Sequence, residues 1–514
     1  MHHHHIMAAS DEGFISTPPH RLSDTRIMTW LVLAAILVGS INRIVAGMDA
    51  PIWFDETFSA VIASQAKFGD LVRWCLNELG GPVYYMLLWA WEKLAGDSGL
   101  ALRLPSLGAS LAAPVLILFA GHPDWRTRLC WSGVCAVWIP GFAIATEARS
   151  YALLFLLATA QSIAFLRLLS APSLRRAGIW VAVTDAIILT HYFGLFISAI
   201  QGMIFLIARR RSVTATWPAL LGFAPVIVWM LFHMSFLARL SGAGVAWQSV
   251  VPPRALWFVP ELLFGSLAVG YILCAGMAVG AIVACGSRLL GASAPPLSSE
   301  ALVAISGWLA LAVLLGLAMV RPSFTPRYAT MVMPAILFGV ALWMRGLDRW
   351  TPYGAPIILA MMIAIAFGPL RDRLYVPELD HRYGFNLMQP SAWLAKESPS
   401  HLMFLWDNPT GTASDPARLA EVAGYFFQRE GRPVEVEIAQ LPAAADPNPY
   451  LIEHAARQDA ALIWIYDRNV SSTRGRTYPA DLRSFARAGL VCRDFGRLPT
   501  TIIACYRKRA PARR

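Results

Sequence analysis

Residues 28–58 of this 514-residue chain, MTWLVLAAILVGSINRIVAGMDAPIWFDETF, join a long apolar stretch to a pair of acids. The first part of this run, up to residue 47, is mostly apolar and has the length that an α-helix needs to cross a bilayer. Soon after it come the adjacent acids Asp55 and Glu56. A carboxylate at a membrane edge is costly to desolvate, so this pair indicates a functional site at the end of a spanning helix.

The composition extends the membrane assignment to most of the chain. Hydrophobic residues make up 56% of the sequence and charged residues 15%, and the mean hydropathy is +0.51. This balance excludes an ordinary soluble protein and predicts a polytopic α-helical membrane protein. The net charge of +11 is typical of basic cytoplasmic loops, so no nucleic-acid partner is expected. Seven cysteines without a Cys-x-x-Cys spacing argue against a zinc or redox motif.

Eleven apolar runs are long enough to be spanning helices. The predicted spans are 28–47, 103–120, 128–146, 149–169, 177–190, 191–208, 215–237, 257–285, 300–320, 328–344 and 353–370. We expect residues 1–27 to comprise a purification tag at Met1–Ile6 and a cytoplasmic N-terminus. Residues 48–102 form a first outer loop, in which Thr57–Lys67 and Pro82–Leu94 have the mixed polarity of helices lying in the interface.

The distribution of arginines predicts the orientation. With a cytoplasmic N-terminus, five successive loops on the cytoplasmic side are basic, as the positive-inside rule expects. These loops carry Arg126 and Arg128, Arg175 and Arg176, Arg209, Arg210 and Arg211, Arg288, and Arg345 and Arg349. The opposite, outer side then receives Asp55, Glu56, Glu147 and His191.

From about Arg371 the composition becomes that of a soluble domain. Strand-like runs at Met403–Trp406 and Ala461–Tyr466 alternate with helical stretches such as Asp415–Arg429, which predicts an extracytoplasmic α/β domain over 371–514. Asp407 and Asn408 follow the first run, where they either face a substrate or form a turn.

Two cysteines of this domain are placed to form a disulfide. Cys492 and Cys505 lie on opposite arms of a predicted hairpin whose turn is centred on Leu498 and Pro499. In an oxidising compartment such a pair can be bridged, and two unpaired thiols are the alternative.

The two adjacent acids have two interpretations. In the functional one, one carboxylate is a general base toward an incoming hydroxyl and the other is an orienting or metal-binding partner. In the structural one, Asp55 only caps the helix that begins near Thr57.

Further polar motifs fall at other outer helix ends. The run TEARSYAL, residues 146–153, places Glu147 and Tyr151 on one helix face, as a polar site or as an interfacial Glu–Arg pair with a tyrosine anchor. His191 and Tyr192 occupy the third outer turn, where a histidine taken alone is more often an interfacial polar residue.

Two outer arginines are candidates for binding an anion. Arg327, in RPSFTPRY at 321–328, departs from the positive-inside trend, and its planar guanidinium suits bidentate phosphate recognition. Arg254, flanked by Trp247 and Trp257, either folds over a lipid headgroup or belongs to an aromatic belt.

In this order the motifs resemble the GT-C glycosyltransferase superfamily. The chain is most similar to bacterial relatives of dolichyl-phosphate-mannose protein mannosyltransferases and of lipid A aminoarabinose transferases, over roughly Met28 to Pro369. The motifs that carry the resemblance are Asp55-Glu56, GPVYY at 81–85, LRLPS at 102–106, EARSYAL at 147–153 and PRY at 326–328.

The resemblance implies a GT-C fold of about 11 transmembrane helices plus juxtamembrane helices. It also implies transfer of a sugar, with inversion, from a polyprenyl-phosphate donor to an acceptor hydroxyl at the periplasmic face of a bacterial inner membrane. By this likeness Asp55 is the catalytic base, with Glu56 beside it and Glu147 positioning a substrate. The predicted residues for the donor phosphate and substrates are Arg149, Tyr151, His191, Tyr192, Arg254, Arg327, Tyr328, Tyr84 and Tyr85.

One departure from the family pattern concerns the phosphate. Relatives often carry His or Lys just before the Pro-x-Tyr element, where this chain has Gly80 and Gly81, so Arg149 or Arg254 gains importance. No cofactor is certain. A divalent cation held by Asp55 and Glu56 stays open, although no His-rich ligand set supports one.

The acceptor and the competing functions also stay open at this stage. The acceptor is lipid A, another glycolipid, an envelope polysaccharide or a protein, and a monomer among membrane lipids is expected. A lipid or anion transporter or flippase would show repeated halves and charges near the midplane. Here most polar motifs cluster at outer helix ends, although Asp185 lies inside a span, and no repeat is evident. A non-catalytic scaffold would leave the acids unexplained.

Overall fold

The protein is mostly helical, with a small sheet near its C-terminus. The computed structural model describes residues 20–45, 47–78, 80–242, 250–289, 297–321, 324–375, 381–407, 414–440, 446–455, 460–467, 481–496 and 500–507. The α-helices up to residue 375 are His20–Val45, Phe54–Ala63, Phe68–Cys75, Pro82–Ala95, Gly99–Ala120, Trp125–Ala136, Pro140–Ala145, Tyr151–Ser170, Leu174–Ile188, Gly194–Ala208, Val213–Thr216, Ala224–Gly242, Val259–Phe264, Leu267–Leu289, Ser299–Val320, Met333–Leu347 and Gly354–Tyr375. Short 3-10 helices lie at Arg210–Ser212, Trp217–Phe223, Pro253–Phe258, Pro326–Met331 and His381–Tyr383.

The prediction of a polytopic helical membrane protein is confirmed. In the described ranges six helices are long and apolar enough to cross a membrane, and a bent pair adds a seventh if it counts as one span. The six are Thr25–Val45, Gly99–Ala120, Tyr151–Ser170, Arg210–Ala238, Ser299–Val320 and Gly354–Tyr375. Gly194–Ala208 and Met333–Leu347 are shorter apolar helices, so the expected number of eleven spans is not established by helix length.

Two predicted single spans are broken in the structure. The span predicted at 128–146 is divided into Trp125–Ala136 and Pro140–Ala145, because proline lacks the N–H that would continue the first helix. The span predicted at 257–285 bends by 94° between Pro253–Phe264 and Leu267–Val283. Gly265 lies at this bend with φ +73°, a conformation that glycine adopts at little cost.

The basic loops meet at one end of the helical bundle. Arg126 pairs with Asp348 at 3.2 Å, and Arg345 pairs with Asp124 at 3.3 Å. Each pair joins the start of helix Trp125–Ala136 to the end of helix Met333–Leu347. Further contacts draw in other helix ends at the same place: His122 with Glu300, Arg209 with Ser299, and Arg167 with the Ala120 carbonyl. The alternation of basic loops in the sequence therefore corresponds to one face of the molecule.

The C-terminal part is a five-stranded mixed sheet. Its strands are β1 His401–Asp407, β2 Glu435–Ile438, β3 Ala460–Asp467, β4 Leu490–Asp494 and β5 Thr500–Arg507, in the order β2-β1-β3-β5-β4. β1 is parallel to β2 and β3, whereas β5 is antiparallel to β3 and β4. Among the described residues of this part, four helices accompany the sheet: Met388–Ala395, Pro416–Arg429, Pro447–Ala455 and Leu482–Arg487.

The disulfide expected in this domain is confirmed. Cys492 and Cys505 face each other in the β4–β5 register, with 4.1 Å between their Cα atoms, and are bonded. The proposed turn residues Leu498 and Pro499 lie outside the described residues.

The C-terminal sheet and its helices pack directly on the helices between residues 54 and 95. Phe54, Leu71 and Trp74 share one hydrophobic core with Phe404 and Phe426 of the C-terminal part. Arg418 strengthens this junction, because its guanidinium lies 3.9 Å from the Trp74 ring centre and donates to the carbonyls of Asn77 and Trp74. The sheet is therefore held against the helix that carries the two adjacent acids.

Candidate active site

The helix Phe54–Ala63 presents Asp55 at the mouth of the site. Glu56 is at the third helical position, and its Oε2 accepts a hydrogen bond from the Trp53 N–H at 3.2 Å, as in a capping box. Acids in a first helical turn also suit the positive end of the helix dipole. The Asp55 side chain remains 33% exposed, and its Oδ2 lies 3.3 Å from Arg327 Nη1.

Glu56, by contrast, belongs to the interior. It is fully buried, and Arg103 binds both of its oxygens, through Nε at 2.9 Å and through Nη2 at 2.6 Å. A carboxylate held in this way on both oxygens has no face left for a substrate or a metal. Glu56 therefore has a structural role in this geometry, and the expected catalytic or metal-binding role does not fit it.

Arg103 organises the loop that leads to Asp55. Besides Glu56, its guanidinium donates to four carbonyls of that loop, those of Gly47 at 3.4 Å, Met48 at 3.0 Å, Ala50 at 2.6 Å and Pro51 at 2.9 Å. A buried guanidinium needs this many acceptors to offset its lost hydration. Arg103 of the motif LRLPS at 102–106 therefore positions the loop that leads to Asp55.

Glu147 lies in the turn between helices Pro140–Ala145 and Tyr151–Ser170. The same Glu56 carboxylate reaches this turn, because its Oε1 accepts from the Ala148 N–H at 2.7 Å. Glu147 is 7% exposed, its Oε2 is 4.0 Å from Arg327 Nη1, and no hydrogen-bond donor of the described residues reaches that oxygen. Burial raises the pKa of Glu147 to about 7, against the opposing effect of Arg327.

Arg327 joins the two acids. Its guanidinium carbon lies 5.0 Å from the Trp53 ring centre and 5.4 Å from that of Tyr151, so the group is held between two aromatic faces. Both pairings with acids use Nη1. Since a guanidinium carries five N–H donors, its other nitrogens can meet an anion at the open side.

Three residues expected to bind substrates lie behind Asp55 instead. Tyr84 is buried, with its hydroxyl 3.4 Å from Ser106 Oγ, and Tyr85 is buried, with its hydroxyl accepting from Arg149 at 3.4 Å. Arg149 also donates to the Asp55 carbonyl at 3.2 Å. Half-buried Arg149 therefore connects the helix Phe54–Ala63 to helix Pro82–Ala95, whereas burial keeps Tyr84 and Tyr85 from the open side.

At the departure formed by Gly80 and Gly81, a steric reason exists for Gly81. A Cβ on Gly81 would lie 1.9 Å from the Leu189 carbonyl oxygen, so no other residue fits there without movement. The close approach lets the N–H groups of Gly81 and Val83 donate to the carbonyls of Thr190 and Leu189. The glycine pair therefore anchors helix Pro82–Ala95 to the outer turn at His191.

His191, Tyr151 and Tyr328 form an aromatic wall beside Arg327. The His191 ring centre lies 5.7 Å from that of Tyr151 and 5.1 Å from that of Tyr328. Burial lowers the pKa of His191 to about 3, so this ring is neutral at physiological pH.

Two other expected site residues lie apart from this cluster. The Tyr192 hydroxyl accepts from Trp229 and contacts His233 Nδ1 at 2.9 Å, next to helix Ala224–Gly242. Arg254 is exposed on the 3-10 helix Pro253–Phe258, and among the described residues no ion pair or hydrogen bond links it to Asp55, Glu147 or Arg327. Its expected neighbour Trp247 lies outside the described residues.

The segment between the last apolar helix and the sheet contributes two contacts that the sequence did not indicate. Buried Arg382 donates from Nη1 to the Thr146 carbonyl at 2.8 Å, and the Phe385 carbonyl accepts from the Phe54 N–H at 3.0 Å. These contacts were missed because the segment follows the last span and has the composition of a soluble linker.

A divalent cation does not fit the adjacent acids. Arg103 occupies both oxygens of Glu56, so this carboxylate cannot share an ion with Asp55. Across the described ranges, no group of three or more His, Cys, Asp and Glu side chains is arranged to hold a metal.

Solved structures resemble this chain, whereas no protein-family model and no curated protein sequence matches it. It is similar to ArnT from Cupriavidus metallidurans in the apo state, with a TM-score of 0.56 and 11% identity over 93% of this chain and 98% of that chain. The same protein bound to undecaprenyl phosphate gives a TM-score of 0.53 with the same identity and coverage.

A second similar structure is the archaeal oligosaccharyltransferase AglB from Archaeoglobus fulgidus, in complex with an inhibitory peptide and a dolichol-phosphate. Its TM-score is 0.50, with 11% identity over 92% of this chain and 74% of that chain. ArnT is a lipid A aminoarabinose transferase, and both proteins are members of the GT-C superfamily. At this identity the likeness concerns the fold, and this chain has the GT-C fold.

Proposed function

We propose that this protein is an integral-membrane glycosyltransferase that moves a sugar from a polyprenyl-phosphate donor to an acceptor hydroxyl, with inversion. The convergence of Asp55, Glu147 and Arg327 at the end of the bundle opposite the basic loops carries the proposal. The undecaprenyl phosphate and dolichol-phosphate named in the similar structures support the choice of donor.

In the proposed reaction Asp55 accepts the proton of the acceptor hydroxyl. The hydroxyl oxygen then forms a bond to the anomeric carbon while the bond from that carbon to the phosphate oxygen breaks. Polyprenyl phosphate leaves with the bonding electrons, and Arg327 stabilises the charge that develops on it. Attack opposite the leaving group inverts the anomeric carbon.

The Asp55–Arg327 pair indicates how donor binding prepares the base. At 3.3 Å the Arg327 guanidinium occupies Oδ2 of Asp55, so it competes with an acceptor hydroxyl for this oxygen. A donor phosphate that takes Arg327 away from Asp55 frees this carboxylate for the acceptor. Ionised Glu147 keeps Arg327 in place during the exchange, since its Oε2 lies 4.0 Å from the same nitrogen.

We place the site on the periplasmic side of a bacterial inner membrane. The gathering of basic loops at the other end of the bundle supports this orientation, as does the disulfide between Cys492 and Cys505. Lipid A, another glycolipid, an envelope polysaccharide and a protein are the candidate acceptors for a monomeric enzyme.

The decisive experiment combines two measurements. Mass spectrometry of envelope lipids and glycans, with and without the gene, is expected to show one lost sugar mass. Purified protein given a polyprenyl-phosphate sugar and that acceptor is expected to release polyprenyl phosphate. Movement of the intact donor across a bilayer without bond cleavage would instead identify a flippase.

Arg327→Ala is expected to weaken donor binding roughly ten- to a hundredfold, because it removes charge-assisted hydrogen bonds to the phosphate. Arg327→Lys is expected to recover part of the affinity, since lysine keeps the charge but not the planar donor pair. The donor KM and the affinity for polyprenyl phosphate measure the effect. Arg321→Ala, a change at an exposed arginine of the same loop, is the control, and an unchanged donor KM and rate in Arg327→Ala would contradict the assignment.

Wild-type protein is expected to lose stability as pH rises, and Glu147→Gln is expected to lack this loss. The unfolded carboxyl has a pKa near 4.5 and the folded one about 7, so the folded state binds more protons between these values. Protonated Glu147 therefore contributes its full stabilisation below the pKa of the unfolded carboxyl. As pH rises through the pKa of the folded one, the free energy of unfolding falls by about 3 kcal/mol in all.

Thermal unfolding in detergent between about pH 4.5 and 8 measures this difference. His191 has a lowered pKa, so its contribution to the stability of the fold increases as pH rises. This contribution is present in both proteins and cancels in the comparison. An identical pH dependence of Tm in wild type and Glu147→Gln would refute the buried titrating acid.

A further inference from the structure

One short segment contacts both acid-bearing loops. Arg382 donates to the carbonyl of Thr146 at 2.8 Å and to its hydroxyl at 3.3 Å, and Thr146 directly precedes Glu147. The Phe385 carbonyl accepts from the N–H of Phe54, which directly precedes Asp55. The segment 382–387 therefore touches the residue before each of the two acids at the mouth of the site.

The same segment is fixed to the soluble domain. Buried Asn386 donates to the carbonyls of Arg382 and Tyr383 at 3.0 and 3.3 Å, which closes the segment on itself. Its Oδ1 accepts from the Gln389 N–H at 3.0 Å, in the first turn of helix Met388–Ala395. The segment therefore connects helix Met388–Ala395 to both acid-bearing loops.

The guanidinium of Arg382 lies next to the Glu147 loop, because it donates to the carbonyl of Thr146. Arg382 is 2% exposed, so its guanidinium must be compensated within the protein. The charged groups that act on Glu147 are the cations Arg327 and Arg382 and the anions Asp55 and Glu56. The hydroxyls of Tyr84 and Tyr151 are also coupled to Glu147.

Arg382 and Arg327 have different surroundings. Arg327 lies at the open side, where a donor phosphate would engage it, whereas Arg382 is buried and bound to a backbone carbonyl. Of the two cations, Arg382 is therefore the one whose place does not change when the donor binds.

We propose that Arg382 is a positioning residue that holds the Glu147 loop in place, so that the C-terminal domain completes the active site. Its effect on transfer rests on the proposed function. Its effect on the protonation of Glu147 does not, because that can be measured without any substrate.

The first experiment is a substrate-free comparison in detergent. The change in Tm caused by Glu147→Gln is followed against pH in three backgrounds, namely wild type, Arg382→Gln and Arg382→Lys. Arg382→Gln keeps a donor for the Thr146 carbonyl but removes the charge, so the pH at which the Tm difference changes is expected to rise by about one unit. Arg382→Lys is expected to raise the pH at which the Tm difference changes by a smaller amount. If Arg382→Gln does not fold, the result for Arg382→Lys tests the proposal.

Arg418→Ala is the matched control, because Arg418 joins the soluble domain to Trp74 and Asn77. It loosens the domain junction without facing Glu147, and no shift of the pH transition is expected. An unmoved transition in the folded Arg382 variants, or an equal shift in Arg418→Ala, would overturn the proposal.

The second experiment measures transfer. The pH–rate profile of the Arg382 variants is expected to move in the same direction as their stability transition, with the donor KM unchanged. A changed donor KM with an unmoved profile would overturn the positioning role. If wild-type protein transfers no sugar, the proposed function fails, while the substrate-free shift still decides the role of Arg382.

Discussion

Asp55→Asn is expected to lower the rate of sugar transfer by roughly a hundred- to ten-thousandfold, the range that a general base contributes. The amide has nearly the same shape as the carboxylate but cannot accept the acceptor proton. Asp55 is partly exposed, and its pairing with Arg327 contributes about 1 kcal/mol or less to stability, so the variant should fold normally.

The measurement is the single-turnover rate of purified protein with a saturating polyprenyl-phosphate sugar. Binding of polyprenyl phosphate is expected to be retained or slightly stronger, because Arg327 no longer has an ionised partner at position 55. Asp49→Asn, a change at an exposed acid of the same loop, is the matched control and should leave the rate near wild type. Turnover of Asp55→Asn at the wild-type rate would show that another group is the base.

Arg103→Met is expected to destabilise the folded protein by about 3–5 kcal/mol, the cost of leaving one partner of a buried ion pair alone. Glu56 is fully buried, and without Arg103 its charge would lack a counterion. The carbonyls of Met48, Ala50 and Pro51 would also lose their donor. The loop that carries Asp55 would then lose its fixed position.

Thermal unfolding in detergent and the activity per folded molecule measure this effect. Arg73→Met is the control, because Arg73 forms an exposed pair with Asp70 and should cost about 1 kcal/mol or less. The double variant Glu56→Leu with Arg103→Met is expected to be more stable than Arg103→Met, since it removes the unpaired charge. Equal Tm values for Arg103→Met and wild type would mean that the pair does not stabilise the loop.

Asp55→Asn and Arg103→Met are expected to separate the roles of the adjacent acids Asp55 and Glu56. Asp55 and Glu56 are neighbours in the chain, yet the helix Phe54–Ala63 directs Asp55 toward Arg327 and Glu56 toward Arg103. Loss of activity without loss of stability is therefore expected at position 55, and loss of stability is expected at position 103.

Several features of the fold could be predicted because they are written locally in the chain. Apolar runs of spanning length, such as Tyr151–Ser170 and Ser299–Val320, require no knowledge of their neighbours. The break between helices at Thr190 and His191, and the pairing of Cys492 with Cys505, likewise follow from nearby residues. The bend at Gly265 was missed because one glycine among apolar residues does not distinguish a bend from a straight helix.

The amino-acid sequence is enough to predict a polytopic membrane protein with basic loops on one side, and to select Asp55, Glu147 and Arg327 as polar residues at the other. The folded chain was needed to show which polar residues face the opening: Asp55 and Arg327 do, whereas Glu56, Tyr84 and Tyr85 are buried. It alone revealed Arg103 and Arg382 as the groups that hold the acid loops. A membrane span is recognised from residues that are consecutive in the chain. The partner of a buried charge, by contrast, is determined by packing between segments far apart in the chain.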